Sequence, residues 1–227
     1  MRFGGLTIAA IGVLLIATAP VGSGAIIADF VDDYQPVSFP SGWSYQWNKA
    51  GAIGDASNYV DLLWDGTDRY DADGSDGLPD SVDGVSARYC YISQGHGHAA
   101  ADADNSGTER YTIAGFTVDR SGPFSITDTN LTATKTNVTG SQNGLELRVL
   151  LNDTNKLTKT VAATESTSFD MDLGVLSSGD TIYVAVGPDG QDQRDNFTLD
   201  FSVTPEPTSA LLLVLAGLLA LGRRRTS

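Results

Sequence analysis

The chain has 227 residues, with 14 Lys+Arg against 28 Asp+Glu and a formal net charge of -14. Phosphate binding depends on clustered Lys and Arg, so this excess of acid argues against nucleic acid or an anionic membrane surface as partner and favours divalent cations or neutral ligands. The single cysteine, Cys90, excludes an intrachain disulfide and, between Tyr89 and Tyr91, reads as a buried, inert thiol on a strand.

At the N-terminus, Arg2 precedes the apolar stretch Leu6 to Ala19 and the small-residue exit Pro20-Val21-Gly22-Ser23-Gly24-Ala25. That pattern predicts a secretory signal peptide over 1–25, cleaved after Gly24 or Ala25. Residues 26–204 then make one domain of ordinary size, with no convincing helix and no internal repeat. Strands are expected at Ile26 to Val31, Trp43 to Trp47, Tyr59 to Trp64, Ala87 to Ser93, Arg110 to Val118 and Phe124 to Ala133. Further strands are expected at Leu145 to Val149, Thr158 to Ala162, Thr167 to Met171, Thr181 to Val186 and Phe197 to Val203. In Leu145-Glu146-Leu147-Arg148-Val149 the alternation turns Leu145, Leu147 and Val149 inward. Turn residues every dozen or so positions predict an all-β antiparallel β-sandwich, a jelly roll of about nine to eleven strands, rather than a βαβ fold.

Gly179-Asp180-Thr181-Ile182-Tyr183-Val184-Ala185-Val186-Gly187-Pro188 launches a strand from a Gly-Asp turn, and Asp189-Gly190-Gln191-Asp192 leads into Phe197-Thr198-Leu199-Asp200-Phe201. With Arg110 to Phe116, this resembles the carbohydrate-binding-module-like jelly rolls of bacterial surfaces. The resemblance speaks for fold and says little about activity.

The C-terminal stretch has three parts: Pro205-Glu206-Pro207, an uncharged run from Thr208 to Gly222, and Arg223-Arg224-Arg225. As a helix the run covers roughly 22 Å against about 30 Å of hydrocarbon, so it spans only marginally, with the arginines on the cytoplasmic side. The prolines separate it from the preceding strand. These parts in this order resemble the bacterial PEP-CTERM sorting signal, which implies recognition by a membrane exosortase at 205–227 and a membrane segment present only before processing. An ordinary anchor helix is the competing reading.

Several constellations bear on chemistry, each beside a plainer reading. Asp71-Ala72-Asp73-Gly74-Ser75-Asp76-Gly77 and Asp102-Ala103-Asp104-Asn105-Ser106-Gly107 half-match a calcium loop, with Asp71, Asp73, Asp76, Asp102, Asp104 and Ser106 as ligands. Gly74 comes too early in the first, and Ile113 stands where the second needs a bidentate Glu, so solvated acidic loops are the alternative. His96-Gly97-His98 would aim two imidazoles at one metal if extended, but no third ligand is identifiable, and the flanking glycines and alanines suggest a loop with an exposed pair. Trp43, Tyr45, Trp47 and Trp64 either stack on sugar faces, if exposed, or fill the core. Asn130, Asn137, Asn152 and Asn196 head Asn-x-Thr triplets, read here as strand and turn composition.

No Gly-x-Ser-x-Gly elbow is present, and two histidines in one short segment leave few options for acid-base catalysis. The sequence therefore predicts a non-catalytic protein, exported to the cell envelope or extracellular matrix, that works in adhesion or binds an extracellular polysaccharide, with calcium as cofactor. A secreted carbohydrate-active hydrolase built on an acidic pair and a purely structural envelope component are the alternatives.

Overall fold

The computed structural model describes residues 24–75, 82–85, 90–99, 108–134, 144–190 and 196–206. Within them the chain is all-β, in two antiparallel sheets that fit a sandwich, and its helical content is a 3-10 turn at Ala56–Asn58. No helix among the described residues is long and apolar enough to cross a membrane. The strands are β1 (Ala28–Asp29), β2 (Trp43–Trp47), β3 (Val60–Asp61), β4 (Leu63–Trp64), β5 (Tyr70–Asp71), β6 (Tyr91–Ser93), β7 (His96–His98), β8 (Thr112–Thr117), β9 (Gly122–Ala133), β10 (Leu145–Leu151), β11 (Thr154–Val161), β12 (Ser166–Thr167), β13 (Met171–Leu176), β14 (Thr181–Gly187) and β15 (Asn196–Pro205). One sheet runs β12-β9-β15-β7-β6-β5-β4, with β1 also on β15 and β13 also on β9. The other runs β11-β10-β14-β8-β2-β3.

Period-two alternation drives this assembly. β2 alternates buried and half-buried residues along its whole length, and Leu145, Leu147 and Val149 of β10 are fully buried as the alternation demands. Phe30 stacks on Phe201 with ring centroids 5.3 Å apart, and Trp43 lies 5.3 Å from Phe116 and 5.6 Å from Phe201. Each such ring removed from water contributes about 1.5–3 kcal/mol, and the sandwich has this apolar layer in place of any disulfide. Cys90 is buried within it, as its aromatic setting led us to expect.

The short strands are where the architecture departs from expectation. Tyr59 to Trp64 does not form one strand: β3 pairs with β2 in one sheet and β4 pairs with β5 in the other. Buried Leu62 is the crossing point, its N–H donating to the Tyr45 carbonyl at 2.8 Å. Thr167 to Met171 likewise breaks between β12 and β13. His96-Gly97-His98 is strand β7 rather than a loop, held between β6 and β15. Gly97 permits that pairing, because a Cβ there would come within 2.4 Å of the Phe197 ring.

Candidate functional site

The four aromatic residues expected to meet a ligand divide sharply. Trp43, Tyr45 and Trp47 are buried, so their assignment to a sugar-stacking surface is corrected: they point inward from β2 and fill the core. Tyr45 sits among Tyr34, Phe39 and Tyr70 at centroid distances of 5.8, 5.4 and 5.3 Å. Burial, reinforced by the neighbouring tyrosines, pushes the Tyr34 and Tyr45 hydroxyls well above their ordinary range, so both stay protonated.

Trp64 differs because the chain has just changed sheets. It is half-buried on β4 and faces its cross-strand partner Tyr70, the rings 5.3 Å apart and inclined at 66° in an edge-on contact. Phe39 closes the group at 5.0 Å from Tyr70. Beside them lies an open cavity of about 290 Å³, walled by Val37, Phe39, Leu63 and Trp64, with Ser38 and Asp61 as polar members. Val37 and Leu63 are 72% and 52% exposed, and Val37 has a φ of +75°, a left-handed conformation costly for a β-branched residue. The Asp61 carboxylate is oriented by Gln46, whose amide donates to it at 2.9 Å. An apolar wall with a fixed acceptor at its rim suits a small ligand with one apolar face and one hydroxylated face.

The first acidic stretch is organised by its own chain. In the β4–β5 turn the Asp65 carboxylate accepts from the backbone N–H of Thr67 at 2.8 Å and of Asp68 at 3.1 Å. Its other oxygen lies 3.4 Å from Arg69 Nε, and Asp71 Oδ2 lies 3.6 Å from the same nitrogen. Asp71 also accepts from the Gly74 N–H at 2.6 Å, and Asp73 accepts from Ser75 N and Oγ at 3.0 and 2.8 Å. Burial, more than any neighbouring charge, pushes the Asp71 carboxyl up to about 6. Asp71 and Asp73 thus serve the turn, and no group of three acidic, His or Cys side chains among the described residues is placed to hold a metal ion. The remaining residues expected to bind calcium, Asp76, Asp102, Asp104 and Ser106, lie outside the described residues.

On β7 the two histidines do share a face, but the expected exposed pair is corrected in part. His96 is exposed, whereas His98 is buried, its Nδ1 2.6 Å from the Ala99 carbonyl and its ring 6.1 Å from that of Tyr91. At the expected sorting motif, β15 continues through Pro205, which pairs with Phe124 of β9. The Glu206 N–H donates to the Pro123 carbonyl at 2.9 Å, and Ser125 Oγ donates to its carboxylate. The first proline therefore does not separate the motif from the strand, because the strand edge it occupies asks it for no N–H. Pro207, Arg223, Arg224 and Arg225 lie outside the described residues, as do residues 1–23 of the expected signal peptide.

Sequence reading missed the cluster that joins Arg69, Tyr91 and Asn196. The Arg69 guanidinium lies 4.9 Å over the Tyr91 ring, and the Tyr91 hydroxyl donates to the Asn196 side-chain carbonyl at 3.0 Å, across 105 positions of sequence. No local spacing marks such a contact; only the β6-β7-β15 pairing creates it.

No protein-family model and no curated protein matches the sequence. Among solved structures, the chain is similar to a family 35 carbohydrate binding module from an environmental isolate, at 14% identity and a TM-score of 0.28, over 43% of this chain and 70% of that one. It is also similar to a ruminal GH26 endo-beta-1,4-mannanase, at 17% identity and a TM-score of 0.28, over 62% of this chain and 26% of the mannanase. The chain thus spans about a quarter of the mannanase it matches.

Proposed function

We propose that this chain is an exported, non-catalytic glycan-binding protein of the cell envelope or extracellular matrix. The observation that carries the reading is the Trp64 cavity, where an aromatic wall and the oriented Asp61 carboxylate meet at an open surface. Aromatic faces take the apolar C–H side of a sugar and fixed polar groups take its hydroxyls. A glycan-array screen of the full chain tests it: retention of at least one glycan, lost in Trp64→Ala, is expected, and no retained glycan overturns it. A protein with a purely structural role in the envelope would retain none. Release of reducing ends from a polysaccharide would overturn the non-catalytic part in favour of a hydrolase.

The same reading takes in a jelly-roll arrangement, supported by the nesting of β8 against β14 and of β9 against β15. It takes residues 1–25 as a signal peptide, 26–204 as the sandwich, and 205–227 as a PEP-CTERM-like signal read by an exosortase. The three-part order of the C-terminal stretch supports this. Intact mass of the exported protein tests it, since retention of Arg223 to Arg225 would make the protein a tethered one. Calcium belongs to the proposal through Asp71, Asp73, Asp76, Asp102, Asp104 and Ser106, and a thermal midpoint unmoved by calcium or chelator would remove it.

A further inference from the structure

Across the β4–β5 hairpin from Trp64, the outer face of the larger sheet has its own cavity, of about 370 Å³. Tyr70 and Trp64 turn inward as cross-strand partners, while Asp71 and Tyr91, the next pair, turn to the opposite face. The two cavities share no lining residue. The outer one is lined by Asp68 and Arg69 from the turn, Ser93 and His96 from neighbouring strands, Thr134, and Asn196 from β15.

Its walls are held in place before any ligand arrives. The Asn196 carbonyl is fixed by the Tyr91 hydroxyl at 3.0 Å, which turns the amide nitrogen elsewhere. Tyr91 is held between Arg69, 4.9 Å from its centroid, and the His98 ring at 6.1 Å. Arg69 is in turn gripped from below by Asp65 and Asp71, both buried. A buried ion cluster of this kind contributes little net stability but fixes geometry. With the Arg69 guanidinium over the Tyr91 ring, hydrogen bonding rather than stacking is the mode of recognition here. The cleft offers Asp68 as acceptor, two hydroxyls, an amide and an imidazole, a mixture that matches groups which both donate and accept. Arg69 is outnumbered by Asp65, Asp68 and Asp71 in a chain of net charge -14, which disfavours anionic ligands.

We propose that this cleft is a second, independent site for a neutral polyhydroxylated ligand, a sugar of an uncharged glycan, so that one chain bridges two glycan strands. The inference rests on the glycan-binding reading above. Calorimetric titration of the full chain with neutral gluco-, manno-, galacto- and xylo-hexasaccharides tests it, together with turbidity on mixing with the corresponding polymers. Two ligands per chain and turbidity are expected. Trp64→Ala is expected to leave one ligand. His96→Ala with Asn196→Ala is expected to leave the other, weakening the outer site about tenfold or more through lost hydrogen bonds. Tyr91→Phe, which removes only the hydroxyl that fixes Asn196, should weaken the outer site while leaving the thermal midpoint and the Trp64 site unchanged. One ligand per chain, abolished by Trp64→Ala alone and without turbidity, would overturn the second site but keep the glycan reading. One ligand abolished only by the outer-face variants would overturn bridging and move the single site to this cleft. No binding of any hexasaccharide would overturn both.

Discussion

Asp71 makes the pH dependence of stability a sharp test of how the β4–β5 hairpin is built. Its carboxyl is 1% exposed and is pushed up from 3.8 to about 6, chiefly because burial penalises the charged form more than Arg69 favours it. The folded state therefore holds this proton more tightly than the unfolded state, and stability must fall as pH rises between those two values. At about 1.4 kcal/mol for each pH unit, the loss amounts to about 3 kcal/mol, complete by roughly pH 7. Asp71→Asn keeps an oxygen for the Gly74 N–H and removes the charge, while Asp65 continues to hold Arg69. Urea unfolding of both proteins from pH 4 to pH 8 measures the difference, and the other carboxylates cancel because they are common to both. Relative to wild type, the variant should gain stability steadily from pH 4 to pH 7. Parallel curves for the two proteins would refute the reasoning, and a variant that loses ground with rising pH would show that attraction to Arg69 outweighs desolvation.

The core and the sheet pairing give further tests. Phe201→Ala removes the ring stacked on Phe30 and touching Trp43 and should cost about 3–5 kcal/mol in urea unfolding. Gly97→Ala forces a methyl into the Phe197 ring and toward the Tyr91 carbonyl, and should lower stability by about 1–3 kcal/mol by the same measurement. Trp64→Ala, at a half-buried edge, should leave the thermal midpoint within a few degrees while abolishing retention at its cavity. Cys90, fully buried, should resist a thiol reagent in the native state and react at the rate of unfolding.

Strands that alternate cleanly over five or more residues were legible from the chain itself. β2 matches its expected bounds, and β10 and β14 overlap theirs, because side-chain direction in an extended chain has a period of two whatever the strand pairs with. Strands of two or three residues carry no such period. β5 was missed and β7 was expected as a loop, since both are strands only by virtue of their partners. The same holds for the sites. Composition picked out Trp43, Tyr45, Trp47 and Trp64 as one group, but nothing local distinguishes an inward ring from an outward one until the sheet crossing at Leu62 is known.

By itself, then, the sequence determined the all-β class and the inward phase of its longer strands, through alternation that acts locally. Tertiary structure alone decided that three of the four aromatic residues are core while Trp64 edges a cavity, that Asp71 and Asp73 serve a turn, and that Arg69, Tyr91 and Asn196 share a wall. Those outcomes depend on which strands become neighbours, and strand pairing is settled by long-range burial and hydrogen bonding between segments that local spacing does not relate.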